Sequence, residues 1–266
     1  METFNPKRYL YISNQMRITA IIIAIPYSMN VMAQEKFDAK FGYEMLLNFG
    51  TPNAFQCNLY FGKNHSYFEY QEKNSKKTGE AQTEVSEVSD DYISLEVNVA
   101  DNTTYFVNTD EKIRSLLRGL GKNSPFYIVE EECPQIDWTI TNETKTIGKY
   151  DCIKATADFR GRSYTAWFAP EIPVQAGPYK YHGLNGLIFE IYDKTHEVSL
   201  RLTDISFRKY TLPSPDYSKY KTISRQEYRQ ILSSFFDNIA NKLSGRADRN
   251  FRIEVSSSNF KTIEME

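Results

Sequence analysis

The chain is 266 residues long, with 32 Lys and Arg against 34 Asp and Glu and a formal net charge of −2 at pH 7. The charges are spread without a basic stripe or arginine cluster, which argues against a nucleic-acid partner. Its 19 Tyr and 17 Phe are high counts for this length and favour half-buried sheet surfaces.

Residues 1–33 read as an N-terminal extension followed by a cleavable secretory leader. Arg17 supplies the positive end, Ile18 to Met29 a short apolar core, and Val31-Met32-Ala33 the small or modest residues before a cut between Ala33 and Gln34. The apolar run is shorter than the roughly 20 residues needed to cross a bilayer; the structural alternative is a buried N-terminal helix. Residues 1–15 are polar and mixed, and Met16 is an alternative start. Gln34, not Cys, follows the cut, which argues against lipid attachment there. The expectation is an exported mature chain without a transmembrane segment, residues 34–266 forming a single β-rich domain.

The mature region alternates. Phe37, Ala39, Phe41, Tyr43, Met45 and Leu47 recur at every second position, the pattern of a strand with one wall on a core. Phe55 to Phe61 repeat it, Tyr67 to Gln71 form another strand, and Asn74-Ser-Lys-Lys77 read as its turn. Further strands are expected at 80–87, 93–99, 104–108, 125–130, 138–145, 153–159, 163–168, 187–192 and 197–207. Short strands joined by brief turns predict antiparallel pairing. Residues 114–120 fit neither period.

One helix is expected at about 224–244. Ser224 and Glu227 form a capping box. Tyr228, Ile231, Leu232, Phe235, Phe236, Ile239, Ala240 and Leu243 follow at spacings of three and four, and Gly245 supplies the stop. This stripe reads first as a cover for the sheet and second as a partner-binding face. The linker 212–216, with two prolines, is expected to continue neither strand nor helix, whereas 251–255 could add an edge strand. The fold expected is mainly β, a curved antiparallel sheet or half-barrel with this C-terminal amphipathic helix.

Cys57, Cys133 and Cys152 are an odd number for an oxidising compartment. Cys133 and Cys152 bracket a candidate hairpin and are the pair favoured for a disulfide. Cys57 alternates with Phe55 and Leu59 and reads as a buried thiol.

Several ordered segments carry a family signal: Trp138-Thr-Ile-Thr-Asn-Glu-Thr-Lys-Thr-Ile147, Cys152-Ile-Lys-Ala155 and Gly161-Arg-Ser-Tyr-Thr-Ala-Trp167. Ile172-Pro173, Gly177-Pro178 and Gly183-Leu184-Asn185-Gly186-Leu187-Ile188 follow. In these the chain resembles the GLPGLI family of exported proteins, known chiefly from Bacteroidota. The resemblance implies a β-rich fold and a place in the periplasm or envelope of a Gram-negative, Bacteroidota-like cell. It implies no reaction, because the family has no established activity. The β-rich texture is also similar to LolA-like lipoprotein-carrier half-barrels. Asn185 stands where the family has proline. Pro-Gly suits a type II turn and Asn-Gly a type I′ turn, so Gly186 is expected at positive φ either way. The glycine-rich motif therefore reads as architectural before it reads as a ligand site.

His65, His182 and His196 lack a Cys-x-x-Cys or His-Glu-x-x-His context, so a zinc site would need long-range convergence, and no metal or cofactor is expected. His182, inside the glycine-rich bend beside Lys180 and Tyr181, is the histidine most worth testing. Glu130-Glu131-Glu132 point to alternate faces of a strand and read as solvating groups, not an acid–base couple. Cys152 has no activating base in the sequence. Three functions follow in order: a non-enzymatic carrier or binding module for an apolar, amphipathic or lipid-like ligand; an accessory protein docking on an outer-membrane or envelope complex; and a hydrolase with a dispersed site including His182.

Overall fold

The alternation that begins at Phe37 becomes two strands, because Asp38 leaves the ladder and donates its N–H to the Phe61 carbonyl at 2.8 Å. These are β1 (Gln34–Phe37) and β2 (Ala39–Asn48). On β2, Phe41, Tyr43 and Met45 are buried, while Leu46 faces out, so the period of two is the pleat itself. The structure is a computed structural model that describes residues 34–50, 52–63, 65–72, 83–89, 92–97, 104–108, 112–119, 124–214, 216–244 and 263–264. The leader, the turn at 74–77, Gly245 and the segment 251–255 lie outside the described residues. The described residues belong to a unit spanning Ala33–Glu266.

Further strands follow: β3 (Pro52–Phe61), β4 (His65–Glu72), β5 (Thr83–Ser89), β6 (Tyr92–Val97) and β7 (Thr104–Asn108). Next come β8 (Lys112–Arg118), β9 (Phe126–Glu132), β10 (Thr139–Ile147), β11 (Tyr150–Phe159) and β12 (Arg162–Ala169). The series ends with β13 (Leu187–Asp193), β14 (Val198–Ser206), β15 (Tyr210–Pro213), β16 (Lys221–Ser224) and helix α1 (Arg225–Ser244).

Twelve of these strands form one open sheet in the order β10-β11-β12-β13-β14-β2-β3-β4-β7-β8-β9-β16. It consists of two runs of neighbouring strands stitched together where β14 pairs with β2, Leu200 opposite Met45 and Leu202 opposite Tyr43. The pairing is antiparallel, as expected from the short turns, except for β16, which lies parallel to β9. The sheet curls. Arg160, just past β11, and Glu131 on β9 stand near opposite ends of the strand order, yet their side chains meet at 2.7 Å. The fold is thus mainly β, curved and unclosed.

Three strands were not expected. In β8, Ile113 and Ser115 point inward, but Arg114 and the adjacent Leu116-Leu117 blur the alternation. β16 is four residues long and reaches the sheet through a connection its own sequence does not specify. β15 runs into the proline-bearing linker at Pro213 and, among the described residues, pairs only with β1, the edge position where a strand tolerates proline.

The helix starts as its capping box dictates. Ser224 Oγ accepts the Glu227 N–H at 3.1 Å, and Glu227 Oε2 accepts the Ser224 N–H at 2.7 Å. The helix lies against β9 and β16; Phe236 is buried, and the Tyr228 hydroxyl donates to the Arg118 carbonyl at 2.8 Å. It covers the sheet, the first of the two readings. No helix among the described residues is long and apolar enough to cross a membrane.

Candidate functional site

Between β12 and β13, residues 170–186 fold as a strap onto the apolar face of the sheet. Proline and glycine prevent this segment from joining the ladder, while Ile172, Val174, Tyr181 and Leu184 are buried in the same core as Phe41, Tyr43 and Phe68. Tyr43 ties the sheet to the strap's exit, its hydroxyl donating to the Ile188 carbonyl at 2.7 Å. The GLNGLI motif thus serves the packing of the strap.

Its glycines act differently from expectation. Gly183 has φ +93°, but neither Gly186 nor Asn185 is at positive φ. Gly186 is required by closeness instead: a Cβ there would stand 2.4 Å from the Ala169 carbonyl oxygen and 2.7 Å from its carbon. At Gly177 a Cβ would meet the Tyr181 oxygen at 2.0 Å. Two backbone segments pass where no side chain fits.

Against the strap lies a cavity of about 110 Å³, walled by residues 175–177 and 179–183 with Ser66 of β4 and Cys133 just past β9. Cys133 continues the inward parity of Val129 and Glu131, which brings its Sγ to 3.3 Å from His182 Nε2. Trp138 fixes the histidine from behind, its Nε1 donating to the His182 carbonyl at 2.8 Å. Burial lowers the His182 pKa, and a hydrogen bond with the Pro134 carbonyl pulls the other way. His182 Nε2 is the ring nitrogen directed at the sulfur. Burial, reinforced by Glu131, raises the Cys133 pKa. Both partners are thus neutral at pH 7, and a protonated thiol is a weak nucleophile.

Beside the cavity is a buried charge cluster. The Lys180 ammonium, 5% exposed, lies between Glu131 and Glu264, and Arg225 at the start of α1 meets Glu264 at 2.9 Å. Tyr179 sits at φ +58°, a conformation that costs an aromatic residue about 1–3 kcal/mol. Its hydroxyl donates to Glu264 at 2.6 Å, which helps hold it there. The acidic triplet divides as strand parity requires. Glu130 faces out to Lys112 and Arg114. Glu131 faces in, its side chain 7% exposed, so it does not solvate a strand end.

The remaining site expectations separate. All three cysteines are free. The expected Cys133–Cys152 bridge is not formed, because Cys133 turns inward to His182 while Cys152 bonds the Tyr150 carbonyl on β11. Cys57 is the buried thiol expected. His65 pairs with Glu35 and His196 stacks on Tyr192 at 4.7 Å; neither joins His182. Among the described residues no group of three His, Cys, Asp or Glu side chains is placed to hold a metal. Sequence reasoning named Cys133 only as a disulfide partner and Lys180 only as a neighbour of His182, and placed neither at a cavity. The inward parity of Cys133 was the available signal.

The fold and site define a β-sheet protein whose apolar face is closed by its own strap. Residues 159–190, from the end of β11 through the strap to β13, match a family model described as "Protein of unknown function (Porph_ging)". None of the curated proteins compared matches the chain. Among solved structures the chain is similar to PNGF-II in its P21 and C2 crystal forms, at 12% identity and TM-score 0.45 over 75% of this chain. The match spans 33% of PNGF-II. An uncharacterized conserved protein from Thermus thermophilus is similar at 8% identity and TM-score 0.36, over 74% of this chain and 93% of that one.

Proposed function

We propose that this chain is an exported, non-enzymatic binding module that takes a small ligand at the strap cavity. The observation that carries the reading is the filled apolar face. An acyl chain or other lipid-like ligand would need the volume that Val174, Tyr181 and Leu184 occupy. The cavity of about 110 Å³ is well below the roughly 300–1,000 Å³ of pockets for drug-sized molecules. A non-catalytic role is supported by the neutral Cys133–His182 pair, which lacks the lowered thiol pKa of a cysteine nucleophile. Export is supported by the leader pattern at 16–33 and by the GLPGLI resemblance.

Native mass spectrometry of protein isolated from its own envelope tests the reading. The expected result is a chain beginning at Gln34 that carries a small adduct. A lipid-sized adduct, or none, refutes it.

The second reading, docking on an envelope complex, is favoured by β10. This nine-residue strand ends the sheet, with no strand on its outer edge among the described residues and Ile140 57% exposed. Free strand edges can template pairing. A photo-crosslinker at Asn142 should trap one envelope protein in intact cells; diffuse or absent products end this reading.

A further inference from the structure

Ile263 and Glu264 lie outside every strand ladder, yet the body of the protein receives them group by group. Ile263 packs against the core, and the Tyr164 hydroxyl of β12 donates to its carbonyl at 3.3 Å. The Tyr179 hydroxyl and the Lys180 ammonium of the strap meet Glu264 Oε1, and Arg225 at the start of α1 donates its Nε–H to Oε2 at 2.9 Å. We propose that this cleft is a receptor for a peptide segment of a partner protein in which an aliphatic residue precedes a glutamate, with residues 263–264 as its resident competitor. The inference goes beyond the small-ligand reading above and does not depend on it.

Charge selects the ligand. Glu131 holds Lys180 and Arg160 and lies 3.7 Å from Arg225. With Glu264 seated, these three cations face two carboxylates among the described residues. With Glu264 withdrawn, the same three would face Glu131 alone. Leaving buried charge without a counter-charge is costly, so the cleft would favour a replacement carboxylate. Its walls do not depend on the occupant. Glu131 still anchors Lys180 and Arg160, and Tyr164 stays fixed in β12 between β11 and β13.

The remaining contacts specify a peptide. A free carboxylic acid would satisfy Lys180 and Arg225 but would leave the Tyr164 donor and the seat of Ile263 unused. A peptide supplies the backbone carbonyl, the apolar side chain and the carboxylate in one short step. The resident segment is suited to exchange, because no ladder hydrogen bond is lost when it leaves. A segment tethered by its own chain competes at an effective concentration of up to roughly millimolar. A partner therefore needs a second contact on the protein to raise the local concentration of its own segment. Tyr179 and Lys180 also line the strap cavity, so the exchange takes place in its wall.

The test is fluorescence anisotropy of a labelled synthetic peptide of residues 256–266 titrated with the full chain from Gln34 to Glu266. The expected result is weak binding to wild type and at least tenfold tighter binding to the Glu264→Gln chain, whose own tail no longer competes as a carboxylate. A peptide carrying Glu264→Gln or Ile263→Ser should bind that variant at least tenfold more weakly than the natural peptide. Arg225→Gln combined with Glu264→Gln in the chain should abolish the gain, with far-ultraviolet circular dichroism unchanged. A second measurement needs no variant: a large excess of the peptide should raise deuterium uptake in the C-terminal segment of isotope-labelled wild-type chain. Equal affinity of wild type and Glu264→Gln for the peptide, equal affinity of the natural and Glu264→Gln peptides, or unchanged uptake overturns the receptor. Displacement of the labelled peptide by free glutamate as effectively as by unlabelled peptide overturns the peptide ligand in favour of a small acid. Wild-type chains that pair at high concentration and separate on adding the peptide assign the cleft to a second copy's tail and overturn the partner.

Discussion

Glu264 is clasped by Lys180: its Oε1 stands 2.5 Å from the ammonium and 2.6 Å from the neighbouring Tyr179 hydroxyl, while Oε2 meets Arg225 at 2.9 Å. Residues 263–264 are thereby tied to the strap and to the start of α1, and Tyr164 adds a hydrogen bond to the Ile263 carbonyl at 3.3 Å. Burial alone would raise the Glu264 pKa. The charge and hydrogen bond of Lys180, the Tyr179 hydroxyl and the charge of Arg225 outweigh it and hold it at about 2.

The sign of the pH effect follows. A carboxyl whose folded pKa lies below its unfolded value stabilises the fold above the unfolded value, and that contribution is lost as pH falls through the folded one. Glu264→Ala should cost about 3 kcal/mol near neutrality, the scale of removing one partner from a buried ion pair. The difference between wild type and variant, read from urea midpoints, should shrink as pH falls from about 4.5 towards 2. Parallel pH curves would show that the clasp contributes nothing.

Gly186→Ala tests the close approach of the strap to β12. The added methyl would stand 2.4 Å from the Ala169 oxygen, and the Leu187 N–H to Ile172 carbonyl bond, 2.9 Å long, holds the bend in place. Backbone atoms cannot rotate away as a side chain can. Overpacking of this kind costs about 1–3 kcal/mol, and valine should cost more than alanine. A wild-type urea midpoint in Gly186→Ala would remove the steric argument.

Strands β2, β3 and β11 were legible because one face of each is buried, so Phe41, Cys57 and Ala155 repeat at a spacing a reader can count. The start of α1 was legible because a capping box is local: Ser224 and Glu227 are three residues apart. Gly186 was singled out correctly for the wrong physical reason, since a close approach between distant backbones leaves no mark on the turn's own residues. The strap's burial was hidden by its composition. Lysine, tyrosines and prolines read as a surface loop, and only the curl of the sheet places Lys180 between Glu131 and Glu264. The Cys133–His182 contact is of the same kind. Each residue looks isolated in sequence, and neither carries the short-range spacing that announces a metal or catalytic site.

Thiol chemistry should separate the three cysteines. Cys57 and Cys152 are fully buried, and burial raises their pKa values to about 12 and about 11. Cys133 is half-buried beside the cavity. In the native chain, iodoacetamide should label Cys133 first, and the other two only after denaturation. For Cys152, a pKa of about 11 against the ordinary thiol value of 9.0 lowers the thiolate fraction roughly a hundredfold before accessibility is counted. Peptide mapping after timed labelling gives the order; equal rates at Cys133 and Cys152 would contradict the placement of both.

Arg162 at the start of β12 and Asp193 at the end of β13 form the most completely buried ion pair among the described residues, and its failure should be global. Arg162 and Asp193 side chains are each 3% exposed and meet at 2.8 Å; Glu197 accepts from the same guanidinium nitrogen at 2.8 Å. Asp193 also accepts the Val198 N–H at 2.9 Å and the Thr195 hydroxyl at 2.6 Å, so it closes the turn as well as pairing the arginine. Burial would raise its pKa, but the hydrogen bonds from Thr195, Val198 and Arg162 hold it below the usual aspartate range. Asp193→Ala deprives Arg162 of its most buried carboxylate and orphans a buried N–H. The expected loss is about 3–5 kcal/mol, enough to exhaust much of the stability of an ordinary domain. Arg162→Met removes the opposite charge and strands Asp193 in the core, so its cost should be similar. The double variant should cost less than the two single losses added together, because charges removed as a pair leave no unpaired ion behind. Urea unfolding of the four proteins measures the coupling; strict additivity would mean that Arg162 and Asp193 stabilise the fold independently, despite the 2.8 Å between them.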